Sequence, residues 1–148
     1  MALNWFPHVT VATIVCHQGK FLMVEEKIDD HLVINQPAGH LEDGESFIAA
    51  AIRETQEETG WLVDIHSLVG IYRWKNPLKN STYVRFCFSG EIIRQVSESL
   101  DVAIQRVLWL SPTEIQRHTP RSPLVQRCIV DYHANVRFPL ALLAELNS

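Results

Sequence analysis

A fold of the α/β (α+β) class is predicted by three observations. Several runs of β-branched, apolar and aromatic residues have strand length; one stretch between them, Phe47 to Thr59, has helical rather than alternating periodicity; and two Ser-Pro pairs near the end mark helix starts. With 148 residues the chain is about one domain's worth, so residues 1–148 are read as a single domain able to bury a real core.

The elements follow in order. His8 to Val15 is almost continuously apolar or β-branched and reads as a buried strand; Gln18-Gly19 turns the chain, and Lys20 to Lys27 returns as its hairpin partner. Asp29-Asp30 break the pattern and Leu32-Val33-Ile34 resume it. Pro37 fixes its own φ and pushes Gln36 out of the helical region, so the chain turns there. Ser46 is the natural N-cap and Gly60 the natural stop of the helix Phe47 to Thr59. Leu62 to Trp74 and Thr82 to Ile93 read as antiparallel strands joined by the polar loop Asn76 to Ser81. Gln95 to Asp101 is an acidic surface loop, and Ile104 to Leu110 one more strand. Ser111-Pro112 and Ser122-Pro123 each start a helix, with an N-cap serine and proline at the first helical position; the second runs to about Ala134. The apolar tail Phe138 to Leu146 adds a helical turn.

Composition excludes several roles. A net charge of −4 and a pI near 5.9 argue against general nucleic-acid affinity, which calls for a basic patch or domain. Cys16, Cys87 and Cys128 are odd in number and in no ligand pattern, which fits structural thiols in a reducing compartment. No basic leader precedes an apolar stretch, and no run of about 18 uncharged apolar residues occurs. Neither membrane insertion nor export is expected, and the chain is read as cytoplasmic.

The stretch Gly39 to Trp61 carries the chemistry. At 100° per residue, Glu58 lies about 40° and Glu57 about −60° from Glu54, so the three share one helix face. Ala50 and Ala51 fall around the same face, where their small size would leave it open, while Ile48, Ile52, Thr55 and Thr59 form the side for a sheet. Carboxylates four residues apart repel, and negative charge near a helix C-terminus opposes the macrodipole. Arg53 is the only cation close by in sequence. At about 4 Å two like charges cost roughly 1 kcal/mol in water and about 4 kcal/mol at an effective dielectric of 20, so a face written for stability would differ. A hard divalent cation resolves the conflict. Mg²⁺ takes oxygen ligands and is typically held by a few carboxylates plus substrate phosphates. Gly39 can offer its carbonyl where no Cβ blocks approach, and Asp43-Gly44 permits a tight turn bringing Glu45 to the same place.

Gly39, Glu45 and Arg53-Glu54-Thr55-Gln56-Glu57-Glu58-Thr59-Gly60-Trp61, so spaced, resemble the Nudix box, the signature of hydrolases acting on a nucleoside diphosphate linked to another group. The match holds at every charged and glycine position. Thr55 departs from it, since the family usually has a larger aliphatic residue there. The resemblance implies a Nudix α/β/α sandwich with a mixed central sheet and the box as loop, helix and loop. It implies that Glu54, Glu57 and Glu58 ligate one to three Mg²⁺, or Mn²⁺ in its place, with the Gly39 carbonyl adding a ligand. Arg53 would orient the glutamates directly or through Glu45. Glu54 or Glu57 would serve as general base. Glu98 and Asp101 are the candidates for a further acidic ligand from a loop. Beyond the box, PHVTVATIV, Asn35 to Glu42, Val84-Arg85-Phe86 and Arg121 to Val125 resemble the NudJ-type phosphatases, which implies removal of phosphate from nucleoside tri- and diphosphates, thiamine pyrophosphate and HMP-pyrophosphate.

Substrate contacts are expected elsewhere. Arg85, a cation in an apolar strand, can clamp a phosphate. Asn35 and Gln36 can hydrogen-bond a base or pyrimidine ring, Tyr72, Trp74 and Tyr83 can stack on one, and Arg121 with Ser122 can meet a terminal phosphate. The expected partner is a small pyrophosphate handled by a monomer or homodimer. The alternatives are a pyrophosphatase of nucleotide sugars, dinucleoside polyphosphates or RNA 5′ ends, and a non-catalytic nucleotide-binding module.

Overall fold

The computed structural model describes residues 4–98 and 100–146; Ser99, inside the expected acidic loop, lies outside them, as do the first three and last two residues. The predicted strands form, with one addition. They are β1 (His8–His17), β2 (Lys20–Ile28), β3 (His31–Asn35), β4 (Ala38–His40), β5 (Trp61–Asn76), β6 (Ser81–Gln95) and β7 (Ile104–Leu110). β4 is the addition: its three residues alternate too briefly to signal a strand, and pairing with β1 makes them one.

The sheet is mixed, with the order β3-β2-β1-β6-β5, β4 paired to β1 and β7 to β2. β1 runs parallel to β6 and antiparallel to β4, so Thr10 sits between His40 on one side and Arg85 on the other. Both faces are covered, which explains the near-continuous apolar run of β1. Val11 and Val15 meet helix α1 (Phe47–Thr59), while Ala12 and Ile14 meet helices α2 (Pro112–Ile115) and α3 (Pro123–His133). The result is the expected α/β/α sandwich.

Helix α1 begins where Ser46 accepts from the Ala49 N–H and ends at Gly60, φ 76°. Gly60 permits this left-handed turn, and a Cβ there would stand 2.0 Å from the Ser97 carbonyl oxygen. The loop after β6 therefore presses on the helix end. The tail holds the other end: after the expected helical turn, a 3₁₀ turn at Leu140–Leu142, Glu145 accepts from the Phe47 N–H at 2.9 Å.

The roll of α1 corrects one expectation. Ala50 and Ala51 do not leave the acidic face open; they are buried with Thr55, Glu58 and Thr59, and Ile48 and Ile52 flank them half-buried. The small side chains let the helix lie close on the sheet, and this turns Glu58 inward. Among the described residues no helix is long and apolar enough to cross a membrane.

Candidate active site

A cavity of about 520 Å³ opens between α1, β4 and the β5–β6 hairpin. Gly39, Glu54, Glu58 and Asp101 line its acidic end. Asn35, Trp74, Tyr83 and Arg85 line the rest, with Lys79, Arg121 and Ser122 at its walls. The site therefore joins a carboxylate cluster to a cationic and aromatic surface.

The acidic end is organised by α1 and β4. Glu58 Oε1 accepts from the Ala38 N–H at 2.8 Å, yet burial pushes its carboxyl up to about 8, with Glu26, Glu54 and Asp101 adding to the shift. Glu54 is also raised by burial, against the pull of Arg53. Asp101 is brought in by the loop, whose backbone N–H donates to the Glu57 carbonyl at 2.9 Å. Glu98 is exposed and lines no part of the cavity. Of the two loop acids, the structure places Asp101 beside the glutamates.

Arg53 sits behind this cluster. It donates to Glu45 at 2.7 and 3.0 Å, to Glu54 at 2.8 Å, to Glu57 at 3.1 Å and to the His40 carbonyl at 3.0 Å. This hydrogen bonding holds the Glu45 carboxyl below the usual range. The turn at Asp43-Gly44 thus delivers Glu45 to Arg53 rather than to the cavity. Glu57 stays exposed on the outer side of the same arginine.

Among the described residues no three carboxylates, histidines or cysteines already converge as a finished metal centre; Arg53 engages Glu54 and Glu57, and the Ala38 N–H engages Glu58. The donor set nevertheless fits a hard divalent cation. Glu54 and Glu58 are oxygen donors that burial leaves short of positive charge, and an added Cβ at Gly39 would lie 2.1 Å from the Glu54 carboxyl carbon. Only glycine lets the backbone come that close.

Arg85 forms the floor. It donates to Gln36 Oε1 at 2.9 Å and to Asn35 Oδ1 at 3.1 Å, and Gln36 Nε2 donates to the Val125 carbonyl at 2.9 Å. Gln36 is therefore a brace behind Arg85 and does not face the cavity. Tyr72 also turns away from it: the face of β5 that carries Tyr72 is covered by α3, where the hydroxyl donates to Asp131 at 2.7 Å. Two residues on, Trp74 is clear of that helix and stacks on Tyr83, ring centroids 5.9 Å apart. Tyr83 stacks in turn on His8 at 4.8 Å.

Glu26 was not singled out from the sequence. It is buried in the cavity wall and accepts from Arg121 at 2.6 Å. The available signal was Glu25-Glu26 inside an apolar strand, where adjacent residues face opposite sides and each buried carboxylate needs a cation. Glu25 takes Arg106, and Glu26 takes Arg121.

Residues 6–129 match the sequence profile of the NUDIX domain, so the chain belongs to the Nudix family. Its class is that of the Nudix-type phosphohydrolases, enzymes of pyrophosphate bonds. Among particular proteins, it is 40% identical over 144 residues to Phosphatase NudJ of Escherichia coli strain K12, covering 95% of this chain and 93% of that one. A solved NUDIX hydrolase from Nitrosomonas europaea superposes with a TM-score of 0.92 at 43% identity, covering 95% and 98% of the two chains. The NUDIX domain of Shewanella oneidensis NrtR, solved with ADP ribose, shares the fold alone: TM-score 0.70 at 13% identity, over 89% and 90%.

Proposed function

We propose that the chain hydrolyses phosphoanhydride bonds of small pyrophosphates, namely nucleoside tri- and diphosphates, thiamine pyrophosphate and HMP-pyrophosphate, and releases phosphate. Mg²⁺ is the cofactor and Mn²⁺ can replace it. The observation that carries this reading is the cavity's division, with Glu54, Glu58 and Asp101 at one end and Arg85, Lys79 and Arg121 facing them. A carboxylate cluster alone would repel a polyphosphate; cations alone would hold it without acting on it. The likeness to Phosphatase NudJ supports the choice of products.

Glu54, Glu58 and Asp101, with the Gly39 carbonyl, would hold the ion, and Glu57 would join them by swinging from Arg53. When bound, Mg²⁺ lowers the pKa of the attacking water and neutralises charge on the phosphate. Arg53 keeps Glu54 and Glu57 oriented and the box loop closed over them. Glu54 or Glu57 takes the proton of the attacking water as general base. Trp74, backed by Tyr83, offers a face for the substrate's ring, and Arg85 and Arg121 draw its phosphates in. The chain would work in the cytoplasm, where the thiols of Cys16, Cys87 and Cys128 stay reduced, as a monomer or homodimer.

The test is a product assay over nucleoside tri- and diphosphates, thiamine pyrophosphate, a nucleotide sugar and a dinucleoside polyphosphate, with Mg²⁺ present. Release of inorganic phosphate from the first three groups is expected. Turnover confined to the last two, or none at all, would overturn the reading.

A further inference from the structure

Arg85 is 5% exposed, and among the described residues it forms no ion pair. The arginines beside the cavity differ: Arg53 has its glutamates and Arg121 has Glu26. Among the described residues the Nε–H of Arg85 is buried with no oxygen or nitrogen acceptor, its nearest acceptor being the weak one of the Cys128 thiol. A buried cation without an anion is costly, and such groups are ordinarily paired.

The hydrogen bonds around Arg85 fix what the floor offers a ligand. The Val125 carbonyl takes Gln36 Nε2, so Gln36 Oε1 faces the guanidinium. Asn35 Oδ1 also faces it, which leaves Asn35 Nδ2 free of any hydrogen bond among the described residues. Each amide oxygen already accepts one bond from Arg85, so what the pair chiefly has left to offer is donors, Asn35 Nδ2 and the guanidinium. Asn35 is also 5% exposed, and both residues line the cavity. Through the pairing of β4, β1 and β6, Arg85 lies two strand spacings, about 10 Å, from the His40 backbone at the acidic end.

We propose that Asn35 and Arg85 form an anion subsite in the wall of the cavity that takes the terminal, unesterified phosphoryl group of the substrate. It thereby selects pyrophosphates ending in a free phosphate over those capped at both ends. This deepens the proposed hydrolysis and rests on it for the identity of the substrate, though not for the anion site itself. A terminal phosphoryl group brings two charges and only acceptors, which matches a buried cation without an anion beside a free amide donor. A capped pyrophosphate would have to place its second organic group against the buried pair.

Asn35→Asp tests this with little change of shape. It gives Arg85 the carboxylate it lacks and removes the free donor. With EDTA present, inorganic phosphate is expected to raise the melting temperature of the parent and leave that of the variant unmoved, while the ligand-free variant melts at or above the parent. In the Mg²⁺ assay, KM for phosphate-ended substrates rises about 10-fold or more, and kcat/KM for a capped dinucleotide shifts less than about 3-fold. Equal stabilisation of both proteins by phosphate, or an unchanged KM, overturns the proposal. If Asn35→Asp does not fold, Arg85→Lys keeps the charge and loses the fork; the same loss of phosphate stabilisation is expected, and its persistence overturns the subsite. A parent that binds phosphate through Asn35 but turns nothing over would sink the hydrolase reading and leave the subsite standing.

Discussion

Glu58 shows how a single residue joins stability to chemistry. Its carboxyl, raised to about 8 by burial, binds a proton in the folded state that it gives up near the ordinary carboxylate range when unfolded. Between about pH 4.5 and 8 this carboxyl therefore holds more proton in the folded state than in the unfolded one, and its contribution to metal-free stability falls as pH rises through that window. The expected melting curve of the EDTA-treated protein declines from pH 5 to pH 8, Glu58→Gln removes most of the decline, and Mg²⁺ opposes it by taking the proton's place. A metal-free melting temperature that climbs over that range would contradict this. Gly39 makes the same link sterically. Gly39→Ala sets a methyl against the Glu54 carboxylate, whose far end can swing aside, so the fold survives within a few degrees while turnover drops about 10- to 100-fold. Arg53 was expected to orient the glutamates directly or through Glu45; that it holds Glu45, Glu54, Glu57 and the His40 carbonyl at once depends on the fold of the preceding loop.

At the scale of elements, the box helix was readable to the residue because its stop signals are local: Ser46 caps one end and Gly60 ends the other. Its roll was not readable. Helical angles place Ala50 and Ala51 beside the glutamates, and only the sheet underneath decides that small residues make the better contact. Thr55 follows from that contact. Its hydroxyl hydrogen-bonds the Ala51 carbonyl at 2.7 Å and Thr13 of β1 at 3.0 Å, and both threonines are fully buried. A polar pair across the helix–sheet junction replaces the aliphatic residue usual in the family. Thr55→Val should leave the Thr13 hydroxyl only its long, 3.5 Å bond to the Ala51 carbonyl and cost about 1–3 kcal/mol, read as a lower denaturation midpoint. The double variant with Thr13→Val should recover most of the loss; additive losses would show that the pair is not coupled. The strands were legible from β-branched runs, whereas β4 and the burial of Glu26 arise from pairing between distant segments.

For the whole molecule, reaction class and specificity are written in different places. The carboxylates lie on one helix and its flanking loops and share a compact pattern, which is why they stand out in the chain. The groups that line the rest of the cavity, and are proposed to meet the substrate, come from β3, the β5–β6 hairpin and the start of α3, far apart in sequence and unremarkable one by one. Arg85 and Asn35 become a unit only because β6 and β3 enter the cavity from different sides of β1. Tyr72 and Gln36 had the right chemistry and face elsewhere, since α3 covers one and Val125 anchors the other. The central claim is that the acidic end of the cavity performs a metal-dependent hydrolysis, and its most direct test is turnover of Glu58→Gln beside the parent at saturating Mg²⁺. A loss of about 100-fold or more in a variant that still melts cooperatively is predicted. Turnover within a few-fold of the parent, with the fold intact, would contradict the account.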